Sequence, residues 1–184
     1  MVVNYLAITD IPSRYANALQ IIQMSNAIVK NGHKVNLIIP NFKSLNQSIK
    51  SYYDVSSKIN LIRLGKKKDK ITKIDNILLP LKIVLKNLFI KKDLIITRNL
   101  VISLILIIFR IEHILELHDD LKISGNILSK IFKILRLLNS KSILRLVFIT
   151  NNLKKFVSKN YNYNGKNFKI LPDPTSIITK KLPV

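Results

Sequence analysis

One short segment combines a histidine with carboxylates. Glu116 and His118 are separated by one residue at the end of an apolar run, and Asp119 follows directly. Side chains two residues apart on a strand point to the same face, so we expect Glu116 beside His118. Neighbouring carboxylates can shift the pKa of an imidazole towards a value useful for binding or proton transfer. From the residues alone, a histidine with an ordinary structural hydrogen bond is the simpler interpretation, with Glu116 orienting nearby loops.

A second polar segment precedes a predicted helix and contains Ser13, Arg14 and Asn17. The first turn of a helix presents N–H groups and partial positive charge, which suit a phosphate. Arg14 would add a charge-assisted contact to a diphosphate or an anionic acceptor. Alternatively, Ser13 caps the helix and Arg14 is a surface side chain. The sequence leaves both interpretations open.

Arg98 also follows an apolar run. It would bind an acceptor or a phosphate, or form an ion pair with a neighbouring carboxylate, and the sequence favours neither. Asp119 and Asp120 are adjacent, so their side chains point to different sides and make a poor metal site. This pair alone therefore does not indicate a metal site.

These polar residues lie at the ends of strands in a chain that alternates between strand and helix patterns. We predict strands at residues 2–8, 35–39, 59–64, 93–97, 114–117, 146–150 and 168–171, and helices at 15–30, 45–53, 77–90, 100–109, 124–138 and 153–158. Strands and helices joined by short connections indicate an α/β fold, a doubly wound Rossmann-like parallel sheet with helices on both faces. Ligands of such sheets bind beyond the carboxyl ends of the strands.

Three local signals predict where elements end. Asn31-Gly32 should end the first helix, because glycine readily adopts the left-handed conformation of a helix C-terminus. Pro40 should stop the second strand. The run Lys66-Lys67-Lys68-Asp69-Lys70 follows Gly65 and is interpreted as a solvated loop.

The composition excludes several classes of protein. A chain of 184 residues with 48% hydrophobic residues fits one folded domain rather than a disordered segment. The absence of cysteine excludes disulfides, thiolate metal sites and cysteine nucleophiles. The N-terminus lacks the basic region of a signal peptide, so we predict a cytoplasmic location. The uninterrupted apolar run of residues 100–109 is too short to cross a bilayer.

A net charge of +21 admits an anionic partner, such as nucleic acid, a lipid surface or a phosphorylated substrate. Because the lysines are scattered along the chain, we interpret most of them as solvated surface. The sequence has no helix-turn-helix signal, no zinc ligands and no basic–aromatic motif, so nucleic-acid binding ranks last.

The predicted helix at residues 124–138 is amphipathic and basic. Its apolar face consists of Ile127, Leu128, Ile131, Phe132, Leu135 and Leu138. We expect this face to pack on the sheet. Lys130, Lys133 and Arg136 line the other side. Peripheral contact of that basic side with the inner face of an anionic membrane is a secondary prediction.

Several segments resemble, in order and spacing, the N-terminal domain of family 4 glycosyltransferases of the group 1 type, which have the GT-B fold. The segments are Pro12-Ser13-Arg14-Tyr15-Ala16-Asn17-Ala18 with Asn31-Gly32-His33-Lys34-Val35, Ser51-Tyr52-Tyr53-Asp54-Val55 with Ile62-Arg63-Leu64, Asp93-Leu94-Ile95-Ile96-Thr97-Arg98, Glu116-Leu117-His118-Asp119, Phe148-Ile149-Thr150-Asn151-Asn152-Leu153-Lys154, and Ile170-Leu171-Pro172-Asp173. The resemblance covers the chain from residue 2 to about residue 176.

The resemblance implies a domain organisation. Such enzymes have two Rossmann-like domains that face a cleft, and the N-terminal one mostly holds the acceptor while the C-terminal one holds the nucleotide-sugar. Residues 1–176 would be the acceptor-side domain and residues 177–184 the start of the linker. The C-terminal donor domain is expected to be absent from this chain.

The resemblance also implies roles for the polar residues. His118 would face the transferred sugar or the phosphate oxygens, with Glu116 as its catalytic neighbour. Substrate-binding roles fall to Ser13, Arg14, Asn17, Arg98 and Asp119. The family is generally metal-independent, so the resemblance implies no metal, and no cofactor is expected.

The leading functional hypothesis is one half of a retaining glycosyltransferase. It would transfer a sugar from a nucleotide-sugar donor to a glycan or lipid-linked acceptor in cell-surface polysaccharide synthesis. The alternative is a non-catalytic remnant or binding module without a donor domain.

Overall fold

A computed structural model describes residues 1–42, 49–53, 58–68, 72 and 74–172 of the chain. The predicted linker at residues 177–184 lies outside the described residues, as does residue 173. The first part of the helix predicted at residues 45–53 also lies outside them.

Strands and helices alternate along the described chain. The strands are β1 (Val2–Leu6), β2 (Lys34–Phe42), β3 (Ile59–Lys68), β4 (Leu94–Thr97), β5 (His113–Leu117), β6 (Ile143–Phe148) and β7 (Phe168–Ile170). The α-helices are α1 (Ala16–Lys30), α2 (Ile49–Tyr53), α3 (Asp75–Leu88), α4 (Leu100–Ile108), α5 (Asn126–Ile134) and α6 (Asn151–Asn160). The strands form a seven-stranded parallel sheet, which confirms the predicted α/β, Rossmann-like fold class.

The chain divides into two compact units, and the described residues of the first lie within Met1–Asp93. Its strands are ordered β3-β2-β1. Helix α1 ends as predicted: Gly32 has a φ of 83°, and its N–H donates to the carbonyl of Val29. Ile21 and Ile22 of α1 and Leu37 and Ile38 of β2 are buried. The first unit therefore has its own hydrophobic core.

A ladder of four asparagines crosses the first unit. Parallel pairing places Asn4 of β1 beside Asn36 of β2, and Asn36 beside Asn60 of β3. Each side-chain amide donates to the next carbonyl oxygen: Asn60 to Asn36 at 2.9 Å, Asn36 to Asn4 at 2.8 Å, and Asn4 to Asn87 of α3 at 2.8 Å. Asn4 and Asn87 are fully buried. Side-chain hydrogen bonds therefore link three strands to a covering helix.

The second unit is Leu94–Pro172, with strands ordered β4-β5-β6-β7. Phe132 of α5, Phe148 of β6 and Val157 of α6 lie in its hydrophobic core. His113 at the start of β5 is also fully buried, and its Nε2 lies 2.8 Å from Ser103 Oγ of α4. Its Nδ1 lies 3.0 Å from the carbonyl oxygen of Ile111. Because a carbonyl only accepts, Nδ1 carries the proton and Nε2 accepts from the serine.

Two strands continue beyond their predicted ends. Pro40 does not stop β2, which continues to Phe42 with an irregularity in its pairing to β3 between Pro40 and Phe42. A proline lacks only its own N–H, and such an irregularity accommodates the missing donor. The loop predicted after Gly65 is also wrong as far as Lys68, because β3 runs through Lys68, which pairs with Phe42. Residues 69 and 70 lie outside the described residues.

The helix predicted at residues 124–138 was also wrong in its extent. A 3-10 turn, Leu121–Ser124, precedes Gly125, and α5 then ends at Ile134. Gly125 has a φ of 110° and Arg136 a φ of 49°, and neither conformation continues an α-helix. A second 3-10 turn, Leu137–Asn139, follows.

This break also changes which residues are buried. Phe132 and Leu138 are buried as predicted, but Ile127 is 78% exposed and Leu135 is 63% exposed. Leu135 lies beyond the helix end, so the helical spacing that placed it on the buried face does not apply. Within the described residues, no helix is long and apolar enough to cross a membrane.

Candidate functional site

The loop between β1 and α1 is held by hydrogen bonds to its own backbone. Ser13 Oγ donates to the carbonyl of Asp10 at 2.7 Å, and Ser13 itself is nearly buried. The N-cap of α1 is Tyr15, which makes no side-chain capping bond. The alternative that Ser13 caps this helix is therefore wrong.

The first turn of α1 is open to solvent. Arg14, Tyr15 and Asn17 are exposed, and the turn contains no acidic residue. Its N–H groups combine with the Arg14 guanidinium to give a positively polarised surface, which suits an anionic group such as a phosphate. Of the three predicted substrate-binding residues here, Arg14 and Asn17 are accessible and Ser13 is part of the supporting structure.

Tyr53 and Arg63 support this loop from distant positions in the sequence, where no local pattern indicated such a role. The Tyr53 hydroxyl accepts from the Ser13 N–H at 2.7 Å and donates to the Ser13 carbonyl at 2.6 Å. Arg63 Nη2 donates to the carbonyl of Ile11 at 3.0 Å. Burial is the main cause that raises the pKa of the Tyr53 hydroxyl, so it stays neutral and keeps both bonds near neutral pH.

Asp10 supplies the carboxylate of this loop. Partial burial raises its pKa, and the positive charge of Arg63 opposes that rise. Among the described residues, its buried Oδ1 has no hydrogen-bond partner. Asp10 is therefore a further candidate for contact with a hydroxyl group. Its position in the loop beyond the carboxyl end of β1 is the sequence signal that could have indicated it.

In the second unit, the structure brings Glu116 and His118 together at the carboxyl end of β5. His118 Nε2 lies 2.8 Å from Glu116 Oε1. The side chains are 9% and 6% exposed, respectively. The pairing follows from the strand alternation that places residues 116 and 118 on one face. A buried carboxylate that accepts from Nε2 fixes both the orientation of the ring and its protonated nitrogen.

The remaining predicted residues lie at the carboxyl ends of the paired strands β4 and β5 but differ in exposure. Arg98 follows β4, the strand that pairs with β5, and is half-buried. Asp119 is exposed. Asp120 accepts a short hydrogen bond from the Tyr161 hydroxyl, and burial together with this carboxylate raises the pKa of Tyr161 to about 12. Asp120 therefore has a structural role, and Asp119 is the carboxylate left accessible.

No cluster of three or more histidine, aspartate or glutamate side chains that could hold a metal ion occurs in the part of the chain that the structure describes. A groove of about 310 Å³ lies at the amino ends of β6 and β7, lined in part by Lys141, Tyr163 and Lys166. Sites in parallel α/β sheets lie beyond the carboxyl ends instead, so we do not assign the groove to the candidate site.

Comparison with known proteins adds a structural relative. The crystal structure of a glycosyltransferase from Rickettsia africae ESF-5 is similar to 93% of this chain, with a TM-score of 0.56 and 13% sequence identity. The chain has a glycosyltransferase-like fold. No model of a known protein family matches the sequence. No curated protein matches it either.

The similarity covers a smaller share of the Rickettsia africae protein than of this chain. It covers 42% of the Rickettsia africae protein, so the chain spans less than half of that glycosyltransferase. At this sequence identity the likeness concerns the fold. What the chain can bind or catalyse depends on the side chains described above.

Proposed function

We propose that this chain is the acceptor-side domain, residues 1–176, of a glycosyltransferase of the GT-B type. It would take part in sugar transfer from a nucleotide-sugar to a glycan or lipid-linked acceptor in cell-surface polysaccharide synthesis. The observation that carries the proposal is the hydrogen-bonded Glu116–His118 pair at the carboxyl end of β5, within a glycosyltransferase-like fold.

The pair has a geometry suited to holding a sugar or a phosphate. When Nε2–H donates to Glu116, the neutral ring of His118 carries its lone pair on Nδ1. Nδ1 is itself buried, so neighbouring side chains would have to move aside before it could accept a hydrogen bond from a sugar hydroxyl or, when protonated, donate to a phosphate oxygen. Glu116 acts through the ring by fixing its orientation. Catalysis would consist mostly of positioning and electrostatic support of the departing diphosphate, with retention of configuration.

The other predicted residues supply binding groups in this proposal. Arg14, Asn17 and the first turn of α1 would contact an anionic group of the substrate, and Ser13 would shape their loop. Arg98 and Asp119 would bind substrate near His118. No metal or cofactor is assigned. Donor binding, which the resembling family performs with its second domain, is assigned to no residue of this chain.

The test measures sugar incorporation in extracts of cells whose only copy of the gene carries the substitution. Radiolabelled nucleotide-sugars serve as donors, and the lipids and glycans of the extract serve as acceptors. We expect His118→Ala to lower incorporation by about 100-fold or more, the typical range for losing a positioned acid–base or binding group. The protein level on an immunoblot should be unchanged, and His33→Ala is the matched control. Wild-type incorporation by His118→Ala would contradict the assignment.

A non-catalytic binding module is the second candidate, since the structural match covers 42% of a glycosyltransferase and donor binding has no assigned residue here. Titration of the purified chain with nucleotide-sugars should show very weak donor binding, because both candidates lack a donor site in this chain. Acceptor binding without incorporation in the cell extract would favour the binding module.

We also propose a cytoplasmic location with peripheral contact at the inner face of the membrane, through Lys130, Lys133 and Arg136. All three side chains are exposed on or just after α5. They would attract anionic lipid headgroups. Equal binding to neutral and anionic vesicles, or binding to neither, would contradict this contact.

A further inference from the structure

Helix α3 in the first unit is apolar on two sides. Its inner side contributes Leu79, Pro80, Ile83 and Val84, all buried. Its outer side and flanking residues expose a second set, from 42% of Leu78 to 85% of Phe89. The exposed set is Ile74, Ile77, Leu78, Leu85, Leu88 and Phe89. Apolar side chains on both the inner and the outer side of a helix are normally covered on both, so the exposed side indicates a missing partner.

The exposed set forms one continuous stripe. Its members follow one another at intervals of one, three and seven residues, and half-buried Leu81 fills the longest interval. Such spacing keeps the side chains on one side of a helix. The 14 residues of α3 extend over about 21 Å at the standard helical rise. We call this surface the α3 stripe.

Positive charge borders the α3 stripe. Lys82 and Lys86 are exposed along one edge, and each is three residues before a member of the stripe, Leu85 and Phe89. The carboxylate of Asp75 is buried and accepts hydrogen bonds from Thr72. Along α3 itself, every exposed charge is therefore positive. Lysine side chains are long enough to keep their ammonium groups in the headgroup layer while apolar neighbours insert below them.

We propose that the α3 stripe lies in the surface of an anionic lipid bilayer, with Lys82 and Lys86 contacting the headgroups. Interfacial helices have this combination of large apolar side chains and flanking lysines. A second copy of the chain fits less well, because pairing two stripes would bring the lysine edges of two molecules with a charge of +21 each close together. The surface differs from the basic side of α5, and the inference does not depend on sugar transfer.

The test is flotation of the purified chain with vesicles of phosphatidylcholine alone or with phosphatidylglycerol added. Wild type should float with the anionic vesicles and largely remain behind with the neutral ones. The double substitution Ile77→Ser, Phe89→Ser should weaken binding to anionic vesicles by about tenfold or more, because it removes the most exposed apolar groups of α3 itself and its C-cap. Both side chains are mostly in solvent, so the fold should tolerate the change.

The matched control is Ile108→Ser, Phe109→Ser, which removes the same two residue types from another exposed position, where they are 67% and 53% exposed. We expect this variant to bind as wild type does. Lys82→Gln, Lys86→Gln should reduce the preference for anionic over neutral vesicles. Thermal unfolding by circular dichroism verifies that all variants fold.

Three results would overturn the inference. One is an α3 variant that binds anionic vesicles as tightly as wild type, and another is an equal loss in the control variant. The third is a wild-type dimer in sedimentation velocity that Ile77→Ser, Phe89→Ser converts to a monomer, since this would show that a second copy covers the stripe. The readouts involve no catalysis, so a failed incorporation assay in cell extracts would leave them unaffected.

Discussion

Tyr53 fixes the loop before α1 through a single hydroxyl group that bonds both the N–H and the carbonyl of Ser13. We expect Tyr53→Phe to lower the free energy of unfolding by about 1–3 kcal/mol, because both backbone groups lose a buried partner. The Ser13 amide should also exchange its hydrogen faster. Urea unfolding and amide hydrogen exchange measure the two effects.

Tyr52→Phe is the matched control for that substitution. The Tyr52 hydroxyl is buried and has no hydrogen-bond partner among the described residues, so its removal should be neutral or slightly stabilising. Equal losses of stability in the two variants would show that the Ser13 bonds contribute nothing specific.

His113 makes stability depend on pH. Burial lowers its pKa, and the hydrogen bond to Ile111 opposes that change only in part. As pH falls below about 6.5, the unfolded chain binds a proton that the folded chain does not. The free energy of unfolding should therefore be highest above that pH and decrease towards the lower pKa of the folded state.

Urea unfolding of wild type, His113→Gln and His33→Gln between about pH 7.5 and pH 5 measures this contribution. We expect a shallower pH dependence for His113→Gln and a wild-type dependence for His33→Gln. Identical slopes in all three proteins would rule out the contribution from His113.

At the residue scale, the sequence predicted contacts that are local and missed those that are distant. Glu116 and His118 are two positions apart on one strand, so alternation alone places them together. The contacts of Ser13 with Tyr53 and of Ile11 with Arg63 span 40 and 52 residues. Such contacts depend on how separate elements pack, which the residue pattern of one segment does not encode.

At the scale of elements, the asparagine ladder is a test of buried polar packing. Asn4→Ala removes an inner member of the ladder. The side-chain amide of Asn36 then loses its acceptor, and the side-chain carbonyl of Asn87 loses its donor. We expect a loss of about 2–4 kcal/mol in the free energy of unfolding, since a network loses two bonds in a buried site. Asn60→Ala removes only the exposed end of the ladder and should cost much less. Similar urea midpoints for the two variants would contradict this difference.

The order and type of the elements could be predicted because apolar periodicity reports them directly. Helix α1 ended at Asn31-Gly32 as expected, because a left-handed helix C-terminus needs only one suitable residue and glycine is readily recognised in a sequence. The helix predicted at residues 124–138 was too long at its C-terminal end. The apolar periodicity persists through Arg136, but the backbone of Arg136 adopts a left-handed conformation that ends the helix. Arginine carries no local signal for that conformation, so only tertiary packing determines it.

At the scale of the whole molecule, a net charge of +21 opposes the compact state by self-repulsion. We expect the urea midpoint to rise as NaCl increases from about 0.02 to 0.5 M, because salt screens the repulsion. An uncharged osmolyte series separates screening from general effects on hydration. A midpoint that stays constant or falls in NaCl would show that the positive charges are already too far apart to interact.

The structural similarity to the Rickettsia africae protein persists at 13% sequence identity. A parallel α/β sheet tolerates such divergence because strands and helices need only the right periodicity and volume, which many sequences supply. Specific polar residues are not guaranteed by that tolerance. The Glu116–His118 pair therefore supports the proposed chemistry in a way that the fold alone does not.

The asparagine ladder also has a consequence for how the strands find their alignment. The apolar residues of β1 and β2 are mostly interchangeable branched aliphatics, and a shift of two residues would keep the same side chains on each face. In such a shifted pairing, Asn36 would lie opposite Val2 or Leu6 and Asn4 opposite Ile38 or Lys34, so the two amides would no longer bond each other. A buried amide without a hydrogen bond costs free energy, so the observed alignment of β1 and β2 is more stable than the shifted ones.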